Sequence, residues 1–159
     1  MTIVISIGLS AQKITKNTID DFTGSHIIGT SDVSISDDFW CSMKKVNNVY
    51  YLNLYFSDGN NVYTSNQGDE LLLKLEGGEI ISLKNNKLVV SELIQNTVMG
   101  RTYSHFTISP TYEIDEAKLK VLKNTKILNV RLHFSDKYSD GLVKEKNSIK
   151  LMKMFGLID

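Results

Sequence analysis

The sequence predicts a mainly β protein, an antiparallel β-sandwich or strongly curled sheet of about eight strands with two short helices. Three observations carry that prediction. Residues 50–56 read YYLNLYF, where Tyr50, Leu52, Leu54 and Phe56 alternate with Tyr51, Asn53 and Tyr55, the period of two that a strand imposes on its side chains. Residues 68–83 read GDELLLKLEGGEIISL, two alternating runs joined by Gly77-Gly78, and a two-residue hairpin loop needs positive φ at both central positions. Turn-forming pairs such as Asn47-Asn48, Gly77-Gly78 and Asn85-Asn86 then punctuate the chain at about the 8–12-residue spacing of an all-β domain.

Residues 1–11, MTIVISIGLSA, form a short apolar run ending in small residues. They resemble the later half of a secretory signal, with Leu9-Ser10-Ala11 as cleavage site but no basic start. The competing reading is a buried first strand, because Ile3, Ile5 and Ile7 alternate with Val4 and Ser6. The abrupt polar turn after Gln12 favours the signal, so export is the expectation, and residues 12–159 are expected to fold as one β-rich domain. The run is shorter than the ~20 apolar residues a membrane span needs.

A hydrophilic stretch follows, KITKNTIDDFTGS over 13–25, before the first strand candidate. Strands are expected at 26–30, at 39–46 with Trp40, at 50–56, at 62–65, across the 68–83 hairpin, at 88–90 and at 101–108. The Asp58-Gly59-Asn60-Asn61 run closes the 50–56 strand with residues that favour turns. Asp115 is the predicted N-cap of a helix over 116–123, with Ile114 and Leu119 as a hydrophobic staple. Asn124 is the predicted left-handed exit. In the strand over 127–134, Leu128, Val130, Leu132 and Phe134 are expected inward and Asn129, Arg131 and His133 outward. A last helix is predicted over 148–155, with Asn147 as cap, Gly156 as stop, and Ile149, Met152 and Phe155 along one stripe.

Composition narrows the function. The chain has 159 residues, 18 basic and 18 acidic, for a formal net charge of zero. A nucleic-acid binder carries a basic excess that this composition lacks. Cys41 is the one cysteine, which excludes an intramolecular disulfide and a thiolate metal cluster. Beside Trp40 it reads as a small buried hydrophobe. His26, His105 and His133 share no metal-ligand spacing, so no metal and no other cofactor is expected. No nucleophile elbow is present. Gly77-Gly78 precedes a strand, not the helix N-terminus that would hold phosphate. The loops at 58–61 and 136–140 contain oxygen ligands, but turn formation accounts for them without calcium.

Residues 68–83 and the segment 112–134, YEIDEAKLKVLKNTKILNVRLHF, resemble a loose group of small exported bacterial β-sandwich domains. The resemblance implies a fold and export, and no activity.

The aromatic residues Trp40, Tyr51, Tyr55 and Tyr63 are the candidate ligand-binding set, since a ring with a polar tip suits flat contacts to sugar or protein. Both faces of 50–56 are apolar enough to leave the buried face open. A doubly covered central strand would fit, and on that reading Tyr51 and Tyr55 pack beneath a second layer. The expected function is an exported, non-enzymatic interaction or ligand-binding domain, its partner a protein or a carbohydrate. The alternatives are a carbohydrate-binding module using exposed aromatics and a hydrolase assembled from His105, His133 and loop carboxylates.

Overall fold

A computed structural model describes residues 12–59 and 61–158. The proposed signal segment, residues 1–11, lies outside the described residues. The elements run in the order β1 (Ile14–Ile19), β2 (His26–Thr30), β3 (Val33–Ser34), β4 (Phe39–Val46), β5 (Val49–Phe56), β6 (Thr64–Ser65), β7 (Glu70–Leu75), β8 (Ile80–Lys84), β9 (Val89–Val90), β10 (Glu92–Val98), β11 (Arg101–Thr107), β12 (Thr111–Ile114), α1 (Glu116–Asn124), β13 (Ile127–His133), β14 (Tyr138–Leu142) and α2 (Glu145–Gly156).

The predicted class holds, with more strands than expected among the described residues. One sheet has the order β1-β2-β4-β5-β12, with β3 also paired to β4, and a second has the order β14-β13-β7-β8. An isolated antiparallel bridge between Asn85 and Tyr112 connects the end of β8 to β12. At the far side, Gly141 of β14 comes so close to β4 that a Cβ there would sit 2.8 Å from Phe39 Cδ2. The assembly is therefore a curled body built on these two larger sheets, with β6-β9 and β10-β11 as separate two-stranded pairs, and only a residue without a side chain fits at that approach.

Of the two faces of 50–56 that the sequence leaves open, the structure buries the even-numbered one. Tyr50, Leu52, Leu54 and Phe56 of β5 face Leu71, Leu73 and Leu75 of β7, Ile81 and Leu83 of β8, and Val130 and Leu132 of β13 within one buried cluster. Helix α1 adds Leu119 and Leu122, and α2 adds Leu151, Met154 and Phe155. Cys41 is buried in the same cluster, and burial pushes its thiol far above the ordinary range, which leaves it unreactive.

Asp115 caps α1, accepting a hydrogen bond from Lys118 N at 2.8 Å. That bond holds its carboxyl below the usual carboxylate range. Ile114 and Leu119 are both buried, as a hydrophobic staple requires.

Four local expectations are corrected. Asn124 does not leave α1 through the left-handed region. It is the last helical residue, its Nδ2 donates to Lys120 O at 2.8 Å, and the extended Thr125 follows. Helix α2 starts at Glu145, with Lys144 at the cap position. Asn147 lies inside its first turn, where its buried Nδ2 donates to Ile35 O at 3.2 Å, so it ties the helix to the β3–β4 connection. The buried stripe of α2 is Ser148, Leu151, Met154 and Phe155, while Ile149 is exposed. Positions 149, 152 and 155 step by three, and two such steps drift off one face of a 3.6-residue turn. Finally, Leu128 points outward, because the β13–β7 register shifts between Ile127 and Asn129. One extra residue in a bulge moves the next side chain to the other face.

Two of the unexpected strands share a cause. β1 and β10 are exposed along their whole length. With neither face buried, nothing selects an alternating pattern that a sequence reading would detect. β14 is hidden for a different reason: Asp136, Asp140 and Gly141 are turn-type residues, so 136–140 is expected as a turn. Asp140 is instead a strand residue paired with Arg131.

Candidate functional site

The outer face of the larger sheet is built by the residues that alternate with the core row of β5. Trp40 of β4 stands directly across from Tyr55 of β5, Ser42 across from Asn53, and Lys44 across from Tyr51. On the other side of β5, Thr111 pairs with Asn53 and Glu113 with Tyr51. Trp40 is 37% exposed, and Tyr51, Asn53 and Tyr55 are half-buried. Among the described residues no second layer closes over the tyrosines, although Ser42 beside them is buried. Tyr51 and Tyr55 are separated by roughly 13 Å at ~3.3 Å per residue, with Asn53 between them. Thr111 Oγ1 donates to Asn53 Oδ1 at 3.2 Å.

At the Trp40–Tyr55 end the face sinks into a hollow of about 380 Å³, lined by Asp32, Trp40, Tyr55, Ser57, His105 and Thr107. These residues come from four places. Asp32 sits between β2 and β3, Trp40 and Tyr55 form the cross-strand pair, Ser57 follows β5, and His105 and Thr107 belong to β11. The base of β11 is fixed here by backbone contacts. Phe106 N donates to Gly59 O at 3.0 Å, and Ile108 N to Phe56 O at 3.0 Å. Ser57 Oγ donates to Phe106 O at 2.7 Å. Its proton is thus directed at a carbonyl rather than at His105, which is the wrong arrangement for an activated serine. What the hollow offers is two aromatic faces beside hydroxyl, imidazole and carboxylate groups. That combination suits stacking and hydrogen bonding.

Tyr63 does not join this face. Its ring is 6% exposed, with centroids 5.1 Å from Phe56 and 4.4 Å from Phe134. Its hydroxyl donates to Asp58 and is pushed up to about 12, first by burial and then by that carboxylate. Lys137 Nζ lies 4.3 Å from the ring centroid. Tyr63 is a core residue that packs on Phe134, just after β13, and holds Asp58 through its hydroxyl.

The histidines are dispersed as well. His105 lines the hollow, whereas His133 lies on the smaller sheet with its ring 6.0 Å from that of Tyr138. His26 sits at the start of β2, with Nε2 2.7 Å from Asn17 Oδ1. Among the described residues no group of three or more His, Cys, Asp or Glu side chains is placed to hold a metal. Both acidic loops are tied internally. Asp58 accepts from Asn61 and Tyr63, and Asp140 accepts from Arg131 Nε and Nη2 at 2.7 and 2.8 Å. That fork holds the Asp140 carboxyl below its usual range. A second hollow of about 250 Å³ lies on the outer face of the smaller sheet around Leu72, Ile80 and Arg131. Its guanidinium is already engaged by Asp140 and stacked 4.0 Å from the Tyr138 centroid, which leaves the Trp40 hollow as the better candidate.

Sequence reasoning found Trp40, Tyr51 and Tyr55. It missed Asp32, Ser57 and Thr107, and placed His105 only in a hydrolase. No local signal marks them, since they meet only through the β3–β4 pairing and the fold of β11 back onto the end of β5. No helix among the described residues is long and apolar enough to cross a membrane. No family model, curated protein or solved structure gives a match to this chain.

Proposed function

We propose that the chain is an exported, non-enzymatic binding domain whose ligand surface is the Trp40–Tyr55 face. The observation that carries this reading is the aromatic cross-strand pair of exposed Trp40 and half-buried Tyr55, beside a hollow with polar groups in its lining. Cross-strand rings on a rigid sheet form a preorganised platform, and little entropy is lost in holding them. The polar lining favours a carbohydrate as ligand. A sugar ring presents apolar C–H faces to an aromatic and hydroxyls to Asp32, His105, Ser57 and Thr107. Export rests on residues 1–11 and on the resemblance of 68–83 and 112–134 to small exported β-sandwich domains.

Trp40 is the one tryptophan in the chain, so intrinsic fluorescence reports on this face alone. Titration with a panel of soluble oligosaccharides is expected to give a saturable change in Trp40 emission. Tyr55→Ala is expected to weaken binding about tenfold, the equivalent of ~1.4 kcal/mol of stacking. Binding measured by calorimetry is expected to vanish in Trp40→Ala. A ligand that binds equally well to Trp40→Ala would overturn this placement of the site. Export has its own check, N-terminal sequencing of protein from its native source, where the mature chain is expected to begin at Gln12. A mature chain that begins at Met1 refutes export and leaves the binding surface standing.

A further inference from the structure

The ribbon β10–β11 is the least explained part of the fold. It is a two-stranded sheet of its own, in regular register from Glu92↔Thr107 to Val98↔Arg101. Every residue of β10 is exposed, and at the tip Met99 is 99% exposed. Its two edges differ at the base, where, among the described residues, β11 is engaged through Phe106 and β10 is not. Phe106 N points away from β10, to Gly59 O, and Phe106 O accepts from Ser57. In an antiparallel ladder the groups of one residue point either into the pair or out of it, and opposite residues do so together. Leu93 faces Phe106, so its N–H and C=O point outward, and those of Gln95 and Thr97 follow by alternation. Among the described residues β10 pairs with β11 alone. The outer edge of β10 is therefore a row of open donors and acceptors.

Natural sheets protect such edges with lysine, proline, bulges or short length. The edge strand β1 carries Lys16 and a register shift between Ile14 and Lys16. The edge strand β14 is short and contains Gly141. β10, ELIQNTV, has seven residues, no Lys, Arg, Pro or Gly, and no register shift. Nothing in it discourages pairing.

We propose that β10 pairs with β10 of a second copy of this chain, antiparallel about a two-fold axis through Gln95. The register satisfies itself. Gln95 meets Gln95 of the other copy, and Leu93 meets Thr97 on both sides, so the outward groups are matched by about six backbone hydrogen bonds. The charges also match. Glu92 comes opposite Val98 of the second copy, and Arg101 is the residue beside that Val98 on the same face. Glu92 of each copy thus reaches toward Arg101 of the other, twice over, as an isologous interface requires. The pairing is independent of the ligand reading. It also sets both Trp40 hollows on one face of the joined ribbon, because His105 and Thr107 lie on the same ribbon face as Glu92 and Ile94.

Sedimentation of the full chain is expected to show a concentration-dependent monomer–dimer equilibrium. Gln95→Pro removes an N–H that the monomer does not use and one long, exposed side-chain bond to Ser104 Oγ, so its melting curve is expected to shift little and its dimerisation to be lost. Thr97→Lys, which replaces an exposed side chain whose one contact is a surface hydrogen bond to Thr102 Oγ1, is expected to weaken the dimer tenfold or more by placing a charge on the edge. Glu92→Arg and Arg101→Glu are each expected to weaken it, and the double variant to restore it. A wild-type chain that stays monomeric at every concentration, or that stays monomeric while another protein occupies β10, overturns the proposal. So does a dimer that survives both Gln95→Pro and Thr97→Lys. Should Gln95→Pro misfold, Thr97→Lys and the charge exchange decide the matter.

Discussion

Phe56→Ala is expected to cost about 3–5 kcal/mol, the range for emptying a buried aromatic site. Phe56 is the last residue of β5 and is almost wholly buried. Its ring centroid lies 4.7 Å from Phe39, 5.1 Å from Tyr63 and 5.5 Å from Phe134. Those partners come from β4, from the segment before β6, and from the residue after β13, so one ring joins both sheets and a connection. The neighbours cannot collapse into the gap. Phe39 is fixed by pairing across β4–β5 and by its close approach to Gly141, and Tyr63 is held through Asp58. A domain of this size has a total stability of roughly 5–15 kcal/mol, so the variant should unfold at a much lower urea concentration. Equilibrium denaturation followed by far-ultraviolet circular dichroism measures the loss. A loss below about 1 kcal/mol would place the ring outside the core and refute the facing of β5. Because Phe56 lies between Tyr55 and Ser57, the same variant should also loosen the Trp40 hollow, which Trp40 fluorescence would register as a shift toward the emission of a solvated indole.

The parts of this fold that were legible in the sequence are those where one face is buried and the other is wet. β5 and β7 announce themselves because Leu54 and Leu73 are excluded from water while Asn53 and Lys74 are not. The cap of α1 was legible because Asp115 acts locally, on a backbone N–H three residues away. β1 and β10 were illegible because their side chains face water on both sides. The binding face was half legible. Trp40, Tyr51 and Tyr55 have a chemistry that can be recognised one residue at a time, although which face of β5 is open depended on what covers it. Tyr63 has the same chemistry and a different place, since its segment turns inward to pack on Phe134. Asp32, Ser57 and Thr107 are ordinary residues whose role comes only from meeting, and pairing of strands distant in sequence decides that.

The centre of the smaller sheet gives the second large effect. Leu73→Ala is expected to cost about 2–5 kcal/mol, as buried leucine truncations do. Leu73 is 2% exposed. It faces Val130 across β7–β13 and Ile81 across β7–β8, so the shortened side chain leaves a cavity bounded by strands on both sides. Its neighbour Leu72 points the other way, is half-buried, and lines the shallow hollow beside Arg131. Leu72→Ala removes the same atoms from a site with water on one side, so it opens no closed cavity and its cost should be clearly smaller. The comparison separates burial from strand propensity, because both substitutions put alanine in place of leucine within the same strand. Urea titrations of the two variants, fitted with a common slope, give the difference directly. Equal costs would mean that β7 is stabilised by its ladder more than by its inward face. A larger cost for Leu72→Ala would mean that the strand is turned by one residue, which reverses every side chain on it and removes Leu71, Leu73 and Leu75 from the core.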